Sequence, residues 1–361
     1  MDFFEKCVII INVYNNVIEK RKLMETLIIE ENELYKAAEL IKSGETVVFP
    51  TETVYGLGAD AFCEEAVKKI FKAKGRPSDN PLIVHISDKS QIESLTCDFT
   101  KNARLLSDAF MPGPITLVMK KKRIVPDCVS AGLKTVGIRC PQSETARKFI
   151  SLCGVPIAAP SANISGSVSA TCFTDVCDEL LGRTAGIIKG EDCKCGIEST
   201  VLDVSGESPV ILRPGSITFD MIKKIIPSVT YHPSLLKKDF TDFEKTPPSP
   251  GMKYKHYAPK ADVYLVYGEF KEIKNWFSKM NDEKKCLFIF CEYIDKNEKN
   301  VYDIGSEKNI SDMASLIFKY MKKADREGYN TIYIPAVKEE ETGFSVMNRL
   351  KKSCGGKKII L

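Results

Sequence analysis

The sequence predicts an α/β protein with two domains, each built on its own β-sheet. Its length of 361 residues corresponds to two domains, since a typical domain has about 150 residues. Apolar patterns typical of strands and of helices occur in irregular order up to Pro214–Gly215, and beyond a proline-rich segment they alternate. Hydrophobic residues make up 43% and charged residues 28% of the chain, which excludes a disordered chain and a collagen-like repeat.

The first domain begins with a helix. Leu34, Ala37, Ala38 and Ile41 recur at the spacing of one helix face, and Gly44 is a natural end for that helix. Similar apolar patterns predict further helices around Val67–Phe71 with an end at Gly75, and near Asn102–Phe110, Glu144–Leu152, Thr174–Leu181 and Phe219–Ile226. Short apolar runs predict strands at Thr46–Phe49, Leu82–Ile86, Ile115–Met119, Val136–Cys140, Thr200–Val204 and Val210–Leu212.

The segment Gly56-Leu-Gly58-Ala-Asp-Ala61 matches a loose G-x-G-x-x-A pattern. The residues before it, Pro50 to Tyr55, break the strand-turn-helix context that a dinucleotide site requires. We therefore expect the two glycines to permit a tight turn, where the backbone passes close to other backbone or to a ligand. The chain also lacks the P-loop, nucleophile-elbow and H-E-x-x-H motifs.

A linker follows the first domain, because the segment from Lys245 to Pro259 contains four prolines and is therefore extended and semi-rigid. Beyond it, strands are predicted at Val263–Tyr267, Cys286–Phe290, Thr331–Pro335 and Lys358–Leu361. Helices are predicted at Lys271–Met280, at Ser311–Ala324 with Ser311 as the N-cap, and at Thr342–Ser353. This alternation predicts a small parallel sheet with crossover helices.

Composition limits the kinds of site that the chain can carry. A net charge of +4 is too small to decide for or against a nucleic-acid partner on its own, and three histidines nearly exclude a multi-His metal site. No secretory signal or membrane-spanning run is visible, so we expect a cytosolic protein with reduced thiols. A cluster of four cysteines lacks the paired C-x₂-C spacing of zinc sites, which favours free thiols over zinc ligands: Cys172, Cys177, Cys193 and Cys195.

Two segments combine cations or small polar groups with turn residues. Lys74 and Arg76 follow a predicted helix, so we expect them on a loop, where they can clamp a polyphosphate or simply form a solvated basic surface. Ser161 and Asn163 follow the apolar run Val155–Ala159, where they can bind phosphate or ribose or form an ordinary polar turn.

Two further residues are unusual because they lie within predicted strands. Arg139 in an apolar strand is costly to bury unless it meets an anion, which is either a ligand or a buried carboxylate of the protein. His85 is either a core histidine or a ligand-binding residue. In the linker, Lys253-Tyr-Lys-His-Tyr257 interleaves cations with rings, which suits either stacking on a base or a simple spacer.

Several blocks in this order resemble the YrdC-like threonylcarbamoyl-AMP synthases, in the longer, two-domain branch of that family. They are Pro50-Thr-Glu-Thr-Val-Tyr-Gly-Leu-Gly58, Lys74-Gly-Arg-Pro77, Asn80-Pro-Leu82, Pro112-Gly-Pro-Ile-Thr116, Gly137-Ile-Arg139, Ala159-Pro-Ser-Ala-Asn163, Gly196-Ile-Glu-Ser-Thr200 and Ser249-Pro-Gly-Met-Lys-Tyr-Lys-His-Tyr-Ala-Pro259. The resemblance covers nearly the whole chain except the first two dozen residues, and several ungapped blocks in one order are far more specific than any single block.

The resemblance implies a nucleotidyltransferase that converts L-threonine, bicarbonate and ATP into threonylcarbamoyl-AMP and pyrophosphate. A downstream transferase would then pass the threonylcarbamoyl group to adenosine 37 of tRNAs that read codons beginning with A. The family fold is a twisted open sheet with helices around a positively charged concave site. The sequence shows no acidic metal cage, so Mg²⁺ is expected to enter with the phosphates of ATP.

The resemblance also implies roles for individual residues. The K-x-R and S-x-N motifs, expected to act on the triphosphate and the reacting phosphorus, are Lys74, Arg76, Ser161 and Asn163. Other positions that match ATP contacts are Asn80, Thr135, Ser169 and Arg213, and in the linker either Tyr254 or Tyr257. Positions that match threonine contacts are Thr53, His85, Arg139 and Ser199, with Arg139 as the carboxylate clamp.

The predicted domains are an N-terminal extension (1–23), a YrdC-like catalytic domain (24–228), a linker or lid (229–260) and a smaller Rossmann-like parallel α/β domain (261–361). Family members usually start about 30 residues before the Thr-Val-Tyr-Gly block. We therefore expect translation to begin at Met24, or residues 1–23 to form a disordered arm.

Two rival functions are weighed against the synthase. A hydrogenase-maturation carbamoyltransferase would need additional acylphosphatase-like and zinc-finger modules, for which this chain has no room. A double-stranded RNA- or tRNA-binding protein without catalysis would be dominated by phosphate contacts, and the charge of +4 argues against that as the main role. Transient contact with tRNA stays open.

Overall fold

The structure, a computed structural model, describes residues 25–236, 257–295 and 298–361. The predicted N-terminal extension (1–23), Tyr254 and most of the predicted linker lie outside these ranges. Two separate sheets carry the two parts of the chain, which confirms the predicted α/β architecture. Within the described ranges, no helix is both long enough and apolar enough to span a bilayer.

The described part of the first domain forms a sheet of 11 strands with parallel and antiparallel neighbours. In chain order the strands are β1 (Leu27–Ile29), β2 (Val47–Phe49), β3 (Gly56–Asp60), β4 (Ile83–His85), β5 (Ile115–Lys120), β6 (Thr135–Arg139), β7 (Ile157–Ala159), β8 (Gly186–Ile188), β9 (Thr200–Asp203), β10 (Val210–Arg213) and β11 (Thr230–Tyr231). Their spatial order is β1-β8-β2-β3-β7-β4-β6-β5-β9-β10-β11. Three chain segments that are far apart in sequence therefore meet where β4 pairs with both β7 and β6.

Helices cover this sheet and bury the apolar faces that the sequence predicts. They are α1 (Leu34–Lys42), α2 (Glu64–Lys74), α3 (Ile92–Leu95), α4 (Lys101–Phe110), α5 (Asp127–Ser130), α6 (Glu144–Cys153), α7 (Phe173–Leu180), α8 (Phe219–Lys223) and α9 (Pro233–Leu236). In α1, for example, Leu34 and Ile41 are buried in one cluster with Phe49 of β2 and Phe149 of α6. Complete burial of a side chain of this size contributes about 1.5–3 kcal/mol to folding.

The predicted tight turn at Gly56 and Gly58 is wrong, because both glycines lie inside strand β3. The ring of Phe49 lies over them, and a Cβ atom at Gly58 would lie 2.5 Å from Cγ2 of Ile157 and 2.9 Å from Cε1 of Phe49. The glycines therefore make room for side chains of the neighbouring strands. The close neighbours of the two glycines are side chains, not the backbone that the sequence led us to expect.

The described part of the C-terminal domain has a sheet of five strands in which every pair is parallel, as predicted. The strands are β12 (Asp262–Tyr267), β13 (Lys285–Ile289), β14 (Val301–Asp303), β15 (Thr331–Pro335) and β16 (Lys358–Ile360), in the spatial order β14-β13-β15-β12-β16. The helices are α10 (Phe270–Ser278), α11 (Ile310–Glu327) and α12 (Glu341–Cys354).

The start of α11 corrects one sequence prediction, since Ser311 is not its N-cap. The helix begins at Ile310, and Asn309 occupies the N-cap position. The Asn309 side-chain amide donates a hydrogen bond to Oδ1 of Asp312 at 2.8 Å. The apolar pattern that marked Ser311 thus located the helix but not its first turn.

The two domains share a hydrophobic core. Val168 and Ile197 of the first domain belong to the same buried cluster as Ile317 and Phe318 of α11. Gly196 has a φ of 67°, and a Cβ atom there would lie 2.4 Å from Cα of Ser315. The first domain and α11 are therefore in backbone-to-backbone contact at this point.

We expect Gly196→Ala to lower the free energy of unfolding by more than about 2 kcal/mol, because the added methyl group overlaps the backbone of α11 and φ is unfavourable for alanine. Urea unfolding of the purified protein measures the change. Gly206→Ala is the matched control, since a Cβ atom there meets nothing within 4 Å. Equal stability of the two variants would contradict the close contact between the domains.

Candidate active site

An open cavity lies on the first domain, and Tyr257 contributes to its wall. Among the residues that the structure describes, four cations line it, Lys74, Arg76, Arg139 and Arg213, against one carboxylate, Glu198. All five charged side chains are less than a tenth exposed. Such a concentration of buried positive charge is costly unless anions or protein dipoles compensate it.

Lys74 is the last residue of α2, because Gly75 adopts the left-handed conformation with φ of 61° and ends the helix. The expectation that Lys74 lies on a loop is therefore wrong, whereas Arg76 lies beyond the helix as predicted. The Lys74 ammonium donates to the carbonyl oxygen of Ser161 at 2.5 Å and to that of Asn163. Burial, followed by the repulsion of Arg76, holds the pKa of Lys74 well below its usual value.

The S-x-N loop is ordered by its own hydrogen bonds. Ser161 Oγ donates to Oδ1 of Asn163 at 2.5 Å, and the Asn163 amide donates to the carbonyl oxygens of Ile164 and Ser167 at 2.8 and 2.9 Å. Together with the two bonds from Lys74, these contacts join the K-x-R and S-x-N motifs into one unit. That unit lines the cavity.

Arg139 lies at the end of β6 and forms an ion pair with Glu52, with 2.7 Å between the guanidinium nitrogen and Oε1. The other carboxylate oxygen of Glu52 accepts hydrogen bonds from the backbone N–H groups of Gln142 and Ser143 at 3.0 and 3.3 Å. The alternative of an ion pair with a buried carboxylate is thus confirmed. Arg139 still faces the cavity, and in the part of the chain that the structure describes its buried Nε has no hydrogen-bond partner.

His85 lies on β4 beside Arg139, its register partner on β6. The ring is 4% exposed, packs edge-on against Phe49 at 5.7 Å, and places Nδ1 3.2 Å from the carbonyl oxygen of Ile83. Burial and then the charge of Arg139 lower its pKa to about 3. His85 is therefore an uncharged residue of the cavity wall at about pH 7.

The far wall of the cavity is built around Glu198, a residue that the sequence analysis did not single out. Glu198 Oε1 accepts a hydrogen bond from Ser169 Oγ at 2.6 Å, and Oε2 lies 3.2 Å from Nε of Arg349 on α12. Burial favours the neutral acid, but Arg349, Arg213 and Ser169 outweigh it and lower the pKa of Glu198. The only sequence signal was its place in the Gly196-Ile-Glu-Ser-Thr200 block.

Tyr257 forms the edge of the cavity nearest the C-terminal domain. Its ring stacks on Phe318 of α11 with centroids 5.3 Å apart, and burial raises its pKa to about 12. The next residue, Ala258, donates its backbone N–H to the carbonyl oxygen of Gly166 at 3.1 Å. The end of the predicted linker is thus fixed to the S-x-N segment.

The structure brings nine of the predicted site residues to the cavity wall. They are Lys74, Arg76, His85, Arg139, Ser161, Asn163, Ser169, Arg213 and Tyr257. Four others lie behind or beside the wall. They are Thr53, Asn80, Thr135 and Ser199.

Each of these four lies close to a wall residue. Thr53 hydrogen-bonds Thr51 at 2.9 Å, and the Asn80 carbonyl accepts from Arg76 at 3.3 Å. Ser199 Oγ accepts from Arg213 at 3.2 Å. Thr135 lines a smaller adjoining pocket that shares Ile83 with the first cavity.

The geometry suits a polyanion together with a small carboxylate. Cations and hydroxyl groups converge from several chain segments, as phosphate groups require. Among the described residues no group of three or more His, Cys, Asp or Glu side chains is arranged to hold a metal ion. A divalent cation in this cavity would therefore take its ligands mainly from a bound polyphosphate.

Two family models match most of the chain. One, described as "Telomere recombination", matches residues 39–215, and the other, described as "Threonylcarbamoyl-AMP synthase, C-terminal domain", matches residues 217–355. The threonylcarbamoyl-AMP synthase of Pyrococcus abyssi is 42% identical over 91% of this chain and 95% of its own length. That of Bacillus subtilis is 39% identical over 91% of this chain and 94% of its own length.

A solved structure shows the same two-domain arrangement. The crystal structure of P. abyssi Sua5 complexed with L-threonine superimposes with a TM-score of 0.85 at 40% identity, and the match covers 93% of this chain and 100% of that one. The similarity therefore extends through both sheets.

We expect the ring signals of His85 to stay constant in NMR spectra between about pH 5 and 8, because its pKa lies far below the usual 6.5. Below pH 6.5 the unfolded chain gains a proton at this residue that the folded chain does not, so His85 lowers the free energy of unfolding as pH falls. His85→Asn assigns the signal. A titration midpoint between about 6 and 7 would contradict the buried, neutral ring.

Proposed function

The chain belongs to the threonylcarbamoyl-AMP synthase family, and on that premise we propose that its cavity joins L-threonine, bicarbonate and ATP into threonylcarbamoyl-AMP and pyrophosphate. The observation that carries this proposal is the convergence of Lys74, Arg76, Arg139 and Arg213 on one cavity, to whose lining the described residues contribute one carboxylate, Glu198. A strongly anionic ligand set complements the positive charge of such a wall.

The reaction has two bond-forming steps. The neutral amine of threonine attacks bicarbonate, and loss of water leaves a carbamate. A carbamate oxygen then attacks the α-phosphorus of ATP, and the bond to the bridging oxygen breaks to release pyrophosphate. Both steps need positioning and charge stabilisation more than acid–base catalysis, which fits a site with a neutral His85.

The K-x-R and S-x-N motifs are proposed to bind the triphosphate. Arg76 offers a guanidinium at the cavity, and the Ser161 and Asn163 side chains lie beside it. Lys74 donates to two loop carbonyls, so we assign it to fixing the loop and adding positive potential. Asn80, Thr135, Ser169 and Arg213, with Tyr254 or Tyr257, complete the proposed ATP site.

Threonine is proposed to bind at the opposite end of the cavity. The Arg139 side chain lines the cavity and can donate to the threonine carboxylate while the ion pair with Glu52 keeps the guanidinium in place. His85 lies next to it, and Thr53 and Ser199 stand behind the wall. This arrangement lets one arginine serve both the protein and the substrate.

Magnesium is proposed to enter with ATP and to neutralise charge on the phosphates. The residues present fit that role, because the described part of the chain lines the cavity with hydroxyl groups and one carboxylate, Glu198, which is already bonded to Ser169 and Arg349. The product is proposed to pass to a transferase that modifies adenosine 37 of tRNA.

Pyrophosphate release from ATP and Mg²⁺ tests the proposed reaction, with threonine and bicarbonate each omitted in turn. We expect release to need both, since the carbamate is the nucleophile. Release that needs neither would identify a simple pyrophosphohydrolase. No release from folded protein that binds ATP would overturn the synthase proposal in favour of binding without catalysis.

We expect Lys74→Ala and Arg76→Ala to lower turnover by about 100-fold or more, because each removes stabilisation of charge that develops at the phosphates. Circular dichroism checks that both variants fold. Arg104→Ala is the control, since Arg104 forms an exposed ion pair with Glu93 outside the cavity. Full activity in the two cavity variants would remove these residues from the site.

We expect Arg139→Lys to weaken threonine binding by about tenfold or more while ATP binding stays near the wild-type value, because lysine keeps the charge but loses the planar donor set. Calorimetric titration with each ligand measures both affinities. The substitution leaves a cation beside Glu52, so the carboxylate is not stranded. Unchanged threonine affinity would contradict the clamp assignment.

A further inference from the structure

Two carboxylates of the first domain connect the cavity wall to cations of the C-terminal domain. Glu179 on α7 faces Lys322 on α11, and Glu198 faces Arg349 on α12. In both pairs each side chain is less than a fifth exposed. Ion pairs with so little water around them are sensitive to the loss of either partner.

The first connection ends at the S-x-N loop. Lys322 donates to Oε1 of Glu179, and Oε2 of the same carboxylate accepts the backbone N–H of Ile164 at 2.5 Å. Ile164 directly follows Asn163, whose carbonyl oxygen accepts from Lys74. A cation of the C-terminal domain is therefore two hydrogen bonds away from the backbone of the proposed triphosphate loop.

The second connection ends at the opposite wall. Arg349 is fully buried and donates from Nε to Glu198 at 3.2 Å and from its terminal nitrogen to the carbonyl oxygen of Pro214 at 2.6 Å. Glu198 in turn accepts from Ser169 at 2.6 Å. Pro214 directly follows Arg213. Arg349 therefore contacts this wall at two places, at Glu198 and next to Arg213.

We propose that Lys322 and Arg349 are positioning residues of the active site, which act through Glu179 and Glu198 to hold the S-x-N loop and the Ser169–Arg213 wall in their catalytic geometry. The C-terminal domain is then a structural component of the catalytic centre in this chain. This inference rests on the proposed function for its effect on turnover, but not for its effect on the loop.

The geometry explains why the connections affect turnover more than folding. The domains share a hydrophobic cluster that neither pair belongs to, so the interface does not depend on one ion pair. Loss of Lys322 leaves the Glu179 carboxylate without its cation, and the carboxylate can then turn towards water and release Ile164. A loop displaced by a fraction of an ångström is enough to lower the rate of a reaction that depends on positioning.

The test compares two lysines of α11 that lie one turn apart. Lys322→Met removes the buried pair with Glu179, whereas Lys319→Met removes the exposed pair with Asp192, which also joins the domains but does not reach the cavity wall. We expect kcat for pyrophosphate release to fall about tenfold or more in Lys322→Met, with KM for threonine changed by less than about threefold. We expect Lys319→Met to behave like wild type, and Lys322→Arg to recover most of the rate.

Amide hydrogen exchange supplies a readout that is independent of activity. The N–H of Ile164 should exchange at least about tenfold faster in Lys322→Met than in Lys319→Met, because its acceptor has moved. Arg349→Met should loosen the segment around Ser169 and lower kcat in the same way. Arg349→Met alone leaves the buried Glu198 carboxylate without its arginine. The double variant Arg349→Met with Glu198→Gln removes that unpaired charge, so it distinguishes lost positioning from lost stability.

The outcomes separate the two proposals. Wild-type protein without threonine- and bicarbonate-dependent release would overturn the proposed function, and faster exchange in Lys322→Met alone would still support the structural connection. If the wild type is active, and if Lys322→Met and Arg349→Met both keep the wild-type kcat and the wild-type exchange rates, the positioning role is overturned. The positioning role would also be overturned if kcat of the variants fell only by the fraction of the protein that is unfolded.

Discussion

The cavity depends on one electrostatic constraint, which is that four cations are buried around a common space with few carboxylates to balance them. The protein meets this constraint by giving each cation a fixed partner. Lys74 donates to loop carbonyls, and Arg76 donates to the carbonyl oxygens of Asn80 and Pro81. Arg139 pairs with Glu52, and Arg213 donates to the carbonyl and hydroxyl of Ser199. Positive potential remains in the space between them, so a polyanionic ligand completes the arrangement.

The sheet topology makes this arrangement possible. Lys74 and the carbonyl it contacts at Asn163 are 89 positions apart, and they meet because β4 and β7 are neighbours in the sheet although more than 70 positions separate them in the chain. The glycines of β3 allow Phe49 and Ile157 to pack over that strand. Packing directly behind the cavity wall therefore helps to set the distances within the site.

The sequence predicts the longer elements well because their apolar patterns are extended, as in α1 and α11. It misses β1, β8, β11 and β14, which have only two or three residues, and β3, whose glycines indicate a turn rather than a strand. Motif blocks located six of the nine predicted residues on the cavity wall, and His85, Ser169 and Arg213 came from the family resemblance outside those blocks. They could not predict that Lys74 ends a helix and donates to a loop, nor that Arg349 reaches Glu198 from 151 positions away, since both contacts exist only after the chain has folded. The N-cap predicted at Ser311 and the turn predicted at Gly58 are wrong for the same reason, because both depend on neighbours that the folded chain brings together.

In the proposed mechanism the first domain carries the active site, and the C-terminal domain positions residues of its wall. The central proposal is that the cationic cavity activates a carbamate of threonine as a mixed anhydride with AMP. The most direct measurement is chromatography of the reaction products with labelled bicarbonate in one sample and labelled threonine in another. The account predicts that both labels migrate with one adenylate compound, whereas AMP and pyrophosphate without any labelled adenylate would contradict it.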